Sequence, residues 1–132
     1  MPIVADVAAG PVFLFVGLIA GLAALLPIVL VEAVVLRLLN WGSFRRSLRD
    51  SVIVNVVTTI VGIVLGILFF PWYNSPPIVF GVLAWVFSIV VEAFLLGLLE
   101  HNDARRTWMA SALMNTVSYV LLGAFAYFAS AA

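Results

Sequence analysis

The stretch Val31-Glu32-Ala33 places an acid inside a long apolar run, and it recurs sixty residues later as Val91-Glu92-Ala93. The same offset aligns further residues of the two halves without a gap: Leu36 with Leu96, Leu38 with Leu98, Leu39 with Leu99, Arg45 with Arg105, Arg46 with Arg106, Ser51 with Ser111, Asn55 with Asn115, Val57 with Val117 and Thr58 with Ser118. The sequence therefore predicts a tandem repeat whose unit is a helical membrane hairpin.

The composition indicates an integral membrane protein. The 132 residues are 66% hydrophobic and 9% charged, with no cysteine and a formal net charge of zero. A soluble domain of this composition would have too few polar groups to cover its surface. Four apolar runs have the roughly 20 residues that a helix needs to cross a bilayer. We place them at Pro11–Leu39, Ser51–Phe70, Ile78–Leu99 and Trp108–Phe128.

The predicted fold is an all-α membrane protein in which four transmembrane helices form one domain over residues 1–132. Two tandem hairpins that enter the membrane in the same direction make up this domain, the first at about 11–70 and the second at about 78–128. Because each unit holds two helices, the expected symmetry is a pseudo-twofold axis along the membrane normal.

All six arginines belong to connections that this fold places on one side of the membrane. We predict basic loops there, with Arg45, Arg46 and Arg49 in the first connection, Arg37 near it, and Arg105 and Arg106 in the third. The positive-inside rule assigns both loops to the cytoplasm and both termini to the extracytoplasmic side. The expected location is a prokaryotic inner or plasma membrane, with membrane lipid as one partner.

Small and polar residues recur every three or four positions in each predicted helix and so form one stripe per helix. Such stripes let membrane helices approach one another closely, whereas large aliphatic side chains suit lipid. The predicted packing residues are Gly17, Gly21, Gly62, Gly66, Gly81 and Ala84. The predicted intramembrane polar core consists of Glu32, Asn55, Glu92, Asn115, Ser51, Ser111, Thr58 and Ser118.

Folding each hairpin brings one acid level with one carboxamide, Glu32 with Asn55 and Glu92 with Asn115. This level lies about eight residues, or ~12 Å, from the ends of the helices. Two interpretations stay open: interhelical hydrogen bonds that hold the bundle together, or a proton or cation site made by two acids. The sequence favours the first, because it shows no third intramembrane acid and no embedded lysine.

The run 27–36, Pro-Ile-Val-Leu-Val-Glu-Ala-Val-Val-Leu, followed by Ser51, Asn55, Thr58 and Gly62, resembles the first hairpin of cyanobacterial filament-integrity membrane proteins. The resemblance covers about a third of the chain, and the second half has Leu122 where the first has Gly62. Proteins of that family are implicated in septal structures between cells. The resemblance implies a structural or assembly role rather than an enzymatic one.

Catalytic and cofactor motifs are absent from the sequence. Without cysteine there is no disulfide or thiolate metal site, and the lone His101 among polar residues is read as a solvated connection. No phosphate loop or Ser-His-Asp set is present, and the balanced charge gives no case for nucleic acid. We therefore expect no enzyme, cofactor or metal, but an accessory or scaffold subunit of a larger membrane complex. The alternative is a small oligomeric proton- or cation-coupled transporter or channel that uses Glu32 and Glu92.

Overall fold

The computed structural model describes residues 23–68, 77–100 and 103–131. The described residues form four helices: α1 over 23–38, α2 over Phe44–Leu68, α3 over Pro77–Glu100 and α4 over Ala104–Ala131. In α2, α3 and α4 a stretch of 22 residues is long and apolar enough to cross a membrane. These stretches are Phe44–Leu65, Ile78–Leu99 and Ala104–Phe125.

The all-helical class and the presence of membrane-spanning helices are therefore confirmed in the described part of the chain. Two predicted spans shift at their start, because α2 begins at Phe44 rather than Ser51 and α4 at Ala104 rather than Trp108. The first part of the predicted span Pro11–Leu39 lies outside the described residues.

The end of α1 is a Schellman motif, in which the chain leaves the helix through a residue in the left-handed conformation. That residue is Asn40, with a φ of 56°. The Asn40 N–H donates to the Arg37 carbonyl at 3.1 Å, and the Trp41 N–H donates to the Leu36 carbonyl at 3.0 Å. Leu36 and Trp41 are both buried and belong to one apolar cluster, as this motif favours. The chain therefore reverses within a few residues before α2 begins.

The arginines predicted to form the first basic loop are helical. Arg45 and Arg46 lie in the first turn of α2, and Arg49 lies in the second. Ser43 caps this helix: its hydroxyl accepts the Arg46 N–H at 3.3 Å, and its carbonyl accepts the Ser47 N–H at 3.0 Å. A serine cap and the good helix propensity of arginine extend α2 past the end of its apolar run.

The second predicted basic loop is also helical, since Arg105 and Arg106 lie in the first turn of α4. The Asp103 carbonyl accepts the N–H groups of Arg106 and Thr107 at 2.9 and 3.1 Å. The prediction of basic loops was therefore wrong in secondary structure, because a loss of hydrophobicity does not by itself end a helix that still has capped polar turns.

The apolar core lies toward the arginine end of the bundle. Its buried cluster joins all four helices or their ends, and consists of Leu36, Trp41, Val54, Leu96, Ala110 and Met114. Large aliphatic and aromatic side chains are exposed around the outside of every helix, such as Leu30 on α1, Ile60 on α2, Phe94 on α3 and Val120 on α4. An interior that also holds the polar side chains, and an exterior of large apolar ones, suit a helix bundle in lipid.

The predicted glycine packing stays a prediction, because the segment that carries Gly17 and Gly21 lies outside the described residues. Gly62 is exposed, and a Cβ atom built on Gly62 or on Gly81 meets no described atom within 4 Å. Ala84 is half-buried. Small residues do pack closely elsewhere, at Ala33 and Ala93, which are 0% and 2% exposed. Three predicted packing residues have surroundings outside the described residues: Gly17, Gly21 and Gly66.

Candidate functional site: a buried carboxyl and carboxamide core

The Glu32 carboxylate accepts three side-chain hydrogen bonds in the interior of the bundle. Asn55 Nδ2 donates to Oε2, and Ser51 Oγ donates to the same oxygen at 3.3 Å. Ser118 Oγ donates to Oε1 at 2.9 Å. Glu32 is only 1% exposed, so every partner of its carboxylate is a protein group rather than bulk water. Asn55 and Ser51 belong to α2, and Ser118 belongs to α4. The bond from Ser118 to Glu32 therefore joins the two hairpins.

The Glu92 carboxylate lies in the same core with fewer partners. Asn115 Nδ2 donates to Glu92 Oε2 at 2.7 Å, and this is its one hydrogen bond among the described residues. Glu92 is 2% exposed. Ser118 and Asn115 lie on the same helix, and they donate to Glu32 and to Glu92 respectively, so both acids belong to one polar core. The core therefore holds two acids that accept different numbers of hydrogen bonds.

The carboxamides are oriented in the same way in both halves. Asn55 Nδ2 also donates to the Ser51 carbonyl at 2.9 Å, and Asn115 Nδ2 donates to the Ser111 carbonyl at 3.0 Å. Both contacts run one turn back along the helix, which is the geometry expected for residues at i and i−4. They direct each NH2 group toward the acid of the preceding helix.

The serines one turn before these carboxamides join the two helices of each hairpin. The one Ser51 Oγ–H is shared between the Glu32 carboxylate and the Val29 carbonyl, which lies at 3.0 Å, and Ser111 Oγ donates to the Ile89 carbonyl at 2.8 Å. In a bilayer a hydroxyl has no water to bond, so a backbone carbonyl of the neighbouring helix is a suitable acceptor. These bonds hold α1 against α2 and α3 against α4 at the level of the acids.

Thr58 and Ser118 occupy matching positions but have different partners. Ser118 reaches Glu32 across the bundle, whereas the Thr58 hydroxyl is buried without a hydrogen-bond partner among the described residues. Threonine is branched at Cβ and therefore more restricted at χ1 than serine. The carboxamides of the two halves thus make the same hydrogen bonds, whereas the hydroxyls of Thr58 and Ser118 do not.

A third buried acid, Asp50, was missed by the sequence analysis. It is 0% exposed and accepts a 3.0 Å hydrogen bond from Trp41 Nε1. Arg49 binds the other oxygen of the carboxylate through Nε at 2.8 Å and Nη2 at 2.6 Å. The predicted span began at Ser51, so Asp50 was counted with the polar connection. Its counterpart at the sixty-residue offset is Ala110, so the repeat pattern gave no signal for it.

Arg106 forms a second link between the hairpins at the arginine end. Its Nη2 donates to the Asn40 carbonyl at 2.6 Å and to the Leu39 carbonyl at 3.3 Å. Its guanidinium carbon lies 5.6 Å from the centroid of the Trp41 ring, a cation–π geometry. A cation at this position satisfies terminal carbonyls of α1 and complements the negative end of its dipole. Arg106 therefore caps α1 from the other half of the chain.

The bundle becomes apolar on the side of the core that faces away from the arginines. A cavity of about 720 Å³ lies between α1 and α4, and Ser118 is the one hydroxyl among the described residues that line it. Tyr119 and Ser88 lie near this level, with their hydroxyl oxygens 3.5 Å apart. The remaining lining residues are Ala23, Ala24, Pro27, Ile28, Val31, Leu121, Leu122, Ala124 and Phe125.

The core can bind charge or hold helices together, and its side chains suit either role. Within the described ranges, no three histidine, aspartate or glutamate side chains gather to hold a metal ion. His101 lies outside the described residues. The donors around Glu32 and Glu92 are amides and hydroxyls, which orient a carboxylate without supplying a positive charge.

No protein-family model, curated protein or solved structure matches this chain. The resemblance of the first hairpin to filament-integrity proteins therefore stays a prediction. The function has to be argued from the core and from the surface around it.

Proposed function

We propose that this protein is a non-catalytic accessory or scaffold subunit of a larger membrane assembly. The observation that carries the proposal is the use of the core's polar groups: Asn55, Ser51 and Ser118 all donate to Glu32, and Asn115 donates to Glu92. Hydrogen bonds between helices stabilise membrane bundles, where lipid gives no hydrophobic drive to association. The buried polar side chains thus bond mainly to one another, and these bonds hold the helices of the chain in one arrangement.

A duplicated hairpin is the simplest origin for this arrangement, and the burial pattern supports it. Of the eleven buried residues in the described part of the first half, nine have a buried counterpart sixty positions later. The nine are Glu32, Ala33, Leu36, Ser47, Asp50, Ser51, Val54, Asn55 and Thr58. In this proposal each half is one structural unit, and the second half replaces the partner that an ancestral homodimer would have supplied.

The proposed orientation places the arginine end in the cytoplasm and both termini outside. Its support is the clustering of the arginines, because Arg106 at the start of α4 contacts the end of α1, close to Arg45 at the start of α2. Positive charge on one side of a bundle is the main determinant of membrane orientation.

The outer surface is the proposed site of contact with the larger assembly. It is almost wholly apolar along the spans, and side chains such as Leu26, Ile63, Val82 and Leu121 are exposed at 69%, 53%, 53% and 49%. Lipid or the helices of another membrane protein can cover such a surface equally well. A rigid, internally bonded core with an apolar exterior suits a subunit that packs against larger partners.

Co-purification in a mild detergent tests this function. A tagged full-length chain should be recovered with a larger membrane complex in fixed stoichiometry, and crosslinks should map to the outer surface. The matched control is an Ala33→Leu chain, which inserts a large side chain at a fully buried position and should lose the complex together with its fold. A chain purified only as a homo-oligomer that dissipates a pH gradient in vesicles would refute the scaffold role.

A small proton- or cation-coupled transporter is the second candidate, and the presence of Glu32 and Glu92 in one core favours it. Ionisable residues inside a membrane mark transport sites in many proteins. Glu92→Gln separates the two functions, because an amide keeps an acceptor for Asn115 but carries no proton and no charge. The scaffold proposal expects normal assembly and function in Glu92→Gln. Normal assembly with lost ion flux in sealed vesicles would favour transport instead.

A further inference from the structure

The two halves of the core satisfy their acids unequally, although their sequences match at these positions. Glu32 has three donors, and the last of them is Ser118 from the other half. Glu92 has one donor, Asn115. The residue that corresponds to Ser118 in the first half is Thr58, sixty positions earlier, and its hydroxyl is buried without a partner among the described residues. The correspondence that pairs Ser118 with Glu32 would pair Thr58 with Glu92, and both of these side chains are buried.

We infer that this part of the core binds one alkali cation, held by the Glu92 carboxylate and the Thr58 hydroxyl. Thr58 lies three residues after Asn55 on α2, as Ser118 lies three residues after Asn115 on α4. Residues at this spacing share a helix face, so Thr58 faces the bundle interior with Asn55. Thr58 is 9% exposed, which agrees with an inward position.

The chemistry of these groups selects a small, singly charged cation. Carboxylate and hydroxyl oxygens are hard ligands that suit alkali and alkaline-earth ions rather than thiophilic metals. Asn115 uses Nδ2 as a donor toward Glu92, which leaves its carboxamide oxygen as a further ligand. Calcium prefers six to eight oxygen ligands with several carboxylates, whereas one carboxylate matches a single positive charge.

A cation would also offset the charge of an ionised Glu92, because the described hydrogen-bond partners of the two acids include no base. The donors of Glu32 and Glu92 are neutral amides and hydroxyls, and the paired base Arg49 belongs to Asp50. Burying an ionised acid in a bilayer is costly unless a charge or several donors offset it. Three donors offset Glu32, and the inferred cation offsets Glu92. This site does not depend on the scaffold role, since a bound ion stabilises the bundle in either candidate function.

Thermal unfolding of the purified full-length chain in a non-ionic detergent tests the inference. The melting temperature is measured by tryptophan fluorescence in NaCl or KCl, with choline chloride replacing the salt at constant ionic strength. A ligand that binds only the folded state raises the melting temperature as its concentration rises. We expect the melting temperature to increase with each tenfold rise in NaCl or KCl, and to stay flat in choline chloride.

Two variants and one control locate the site. Thr58→Val and Glu92→Gln should abolish the response to both salts, whereas Thr59→Val should retain it, because Thr59 is the exposed neighbour on the same helix. An equal response in choline chloride, or an undiminished response in Thr58→Val, would overturn the inference. If Thr58→Val fails to fold, equilibrium binding of radioactive sodium and of its potassium analogue rubidium to the parent decides it. One displaceable ion per chain is expected, and no saturable binding of either ion would rule the site out.

Discussion

Replacing the two glutamates by leucine should destabilise the bundle to different degrees. Glu32→Leu removes the acceptor of three hydrogen bonds, and Glu92→Leu removes the acceptor of one. Interhelical hydrogen bonds in membranes average about 0.6 kcal/mol each. Because the Ser51 hydroxyl keeps its bond to the Val29 carbonyl, the lost bonds are worth about 1–2 kcal/mol at Glu32 and about 0.6 kcal/mol at Glu92.

The difference between the variants is the quantity to measure. Both substitutions also relieve the cost of burying a carboxyl group, and this gain is similar at two positions that are 1% and 2% exposed. Most of it cancels in the comparison, so Glu32→Leu should be less stable than Glu92→Leu by about 1 kcal/mol. The assay is reversible unfolding by dodecyl sulfate in mixed micelles, followed by helix content. The dodecyl sulfate is added as its choline salt in choline chloride, so that no alkali cation contributes.

Two results would refute this reasoning. Equal stability of Glu32→Leu and Glu92→Leu would mean that Ser51 and Ser118, the two additional donors to Glu32, contribute nothing to stability. A larger loss in Glu92→Leu would mean that the second half of the core has more support than the structure assigns to it. Ser118→Ala is the direct check, since it should account for about 0.6 kcal/mol of the difference.

Three further predictions concern the rest of the bundle. Ser43→Cys should react with an impermeant thiol reagent only after the cells are opened, and Asn74→Cys should react in intact cells; the reverse pattern would invert the proposed orientation. Gly62→Leu should fold with a melting temperature at or above that of the parent, because a Cβ there meets no described atom within 4 Å and leucine is the better helix former by up to about 1 kcal/mol, whereas Ala33→Leu should lose its unfolding transition. Trp41→Phe removes the indole donor to the buried carboxylate of Asp50 and should lower the free energy of unfolding by about 1–3 kcal/mol in the dodecyl sulfate titration. An unchanged midpoint would show that Arg49 alone stabilises the buried Asp50 carboxylate.

The parts of the structure that the sequence predicted correctly depend on periodicity. Helical class and the membrane-spanning helices follow from apolar length alone. The polar side chains that the structure brings together, such as Glu32 with Asn55, lie on stripes with helical spacing at equal distances from a turn. Such a pattern depends on local geometry, and local geometry is readable from sequence.

The parts that the sequence did not predict depend on contacts between distant segments. Asp50 reads as a surface residue beside Arg49, and only the approach of Trp41 shows that it is buried. Gly62 has the spacing of a packing residue, but spacing does not say which face of α2 meets another helix. Arg106 reads as part of a loop, because a cap on α1 requires the end of α1 to be in place. Each of these depends on tertiary packing, which overrides local pattern.

The bonds between the hairpins also impose an order on synthesis. Ser118 is 86 residues from Glu32, and Arg106 is 66 residues from Asn40. A ribosome adds roughly 5–20 residues per second, so Glu32 waits roughly 4–17 s for its last donor. During that time the nascent first hairpin has its own Asn55 and Ser51 bonds, while the end of α1 still lacks its arginine. A newly inserted first hairpin is therefore a transient species in which the Glu32 carboxylate and the carbonyls at the end of α1 still lack a donor. Insertion of α4 supplies both donors, Ser118 and Arg106, at nearly the same moment.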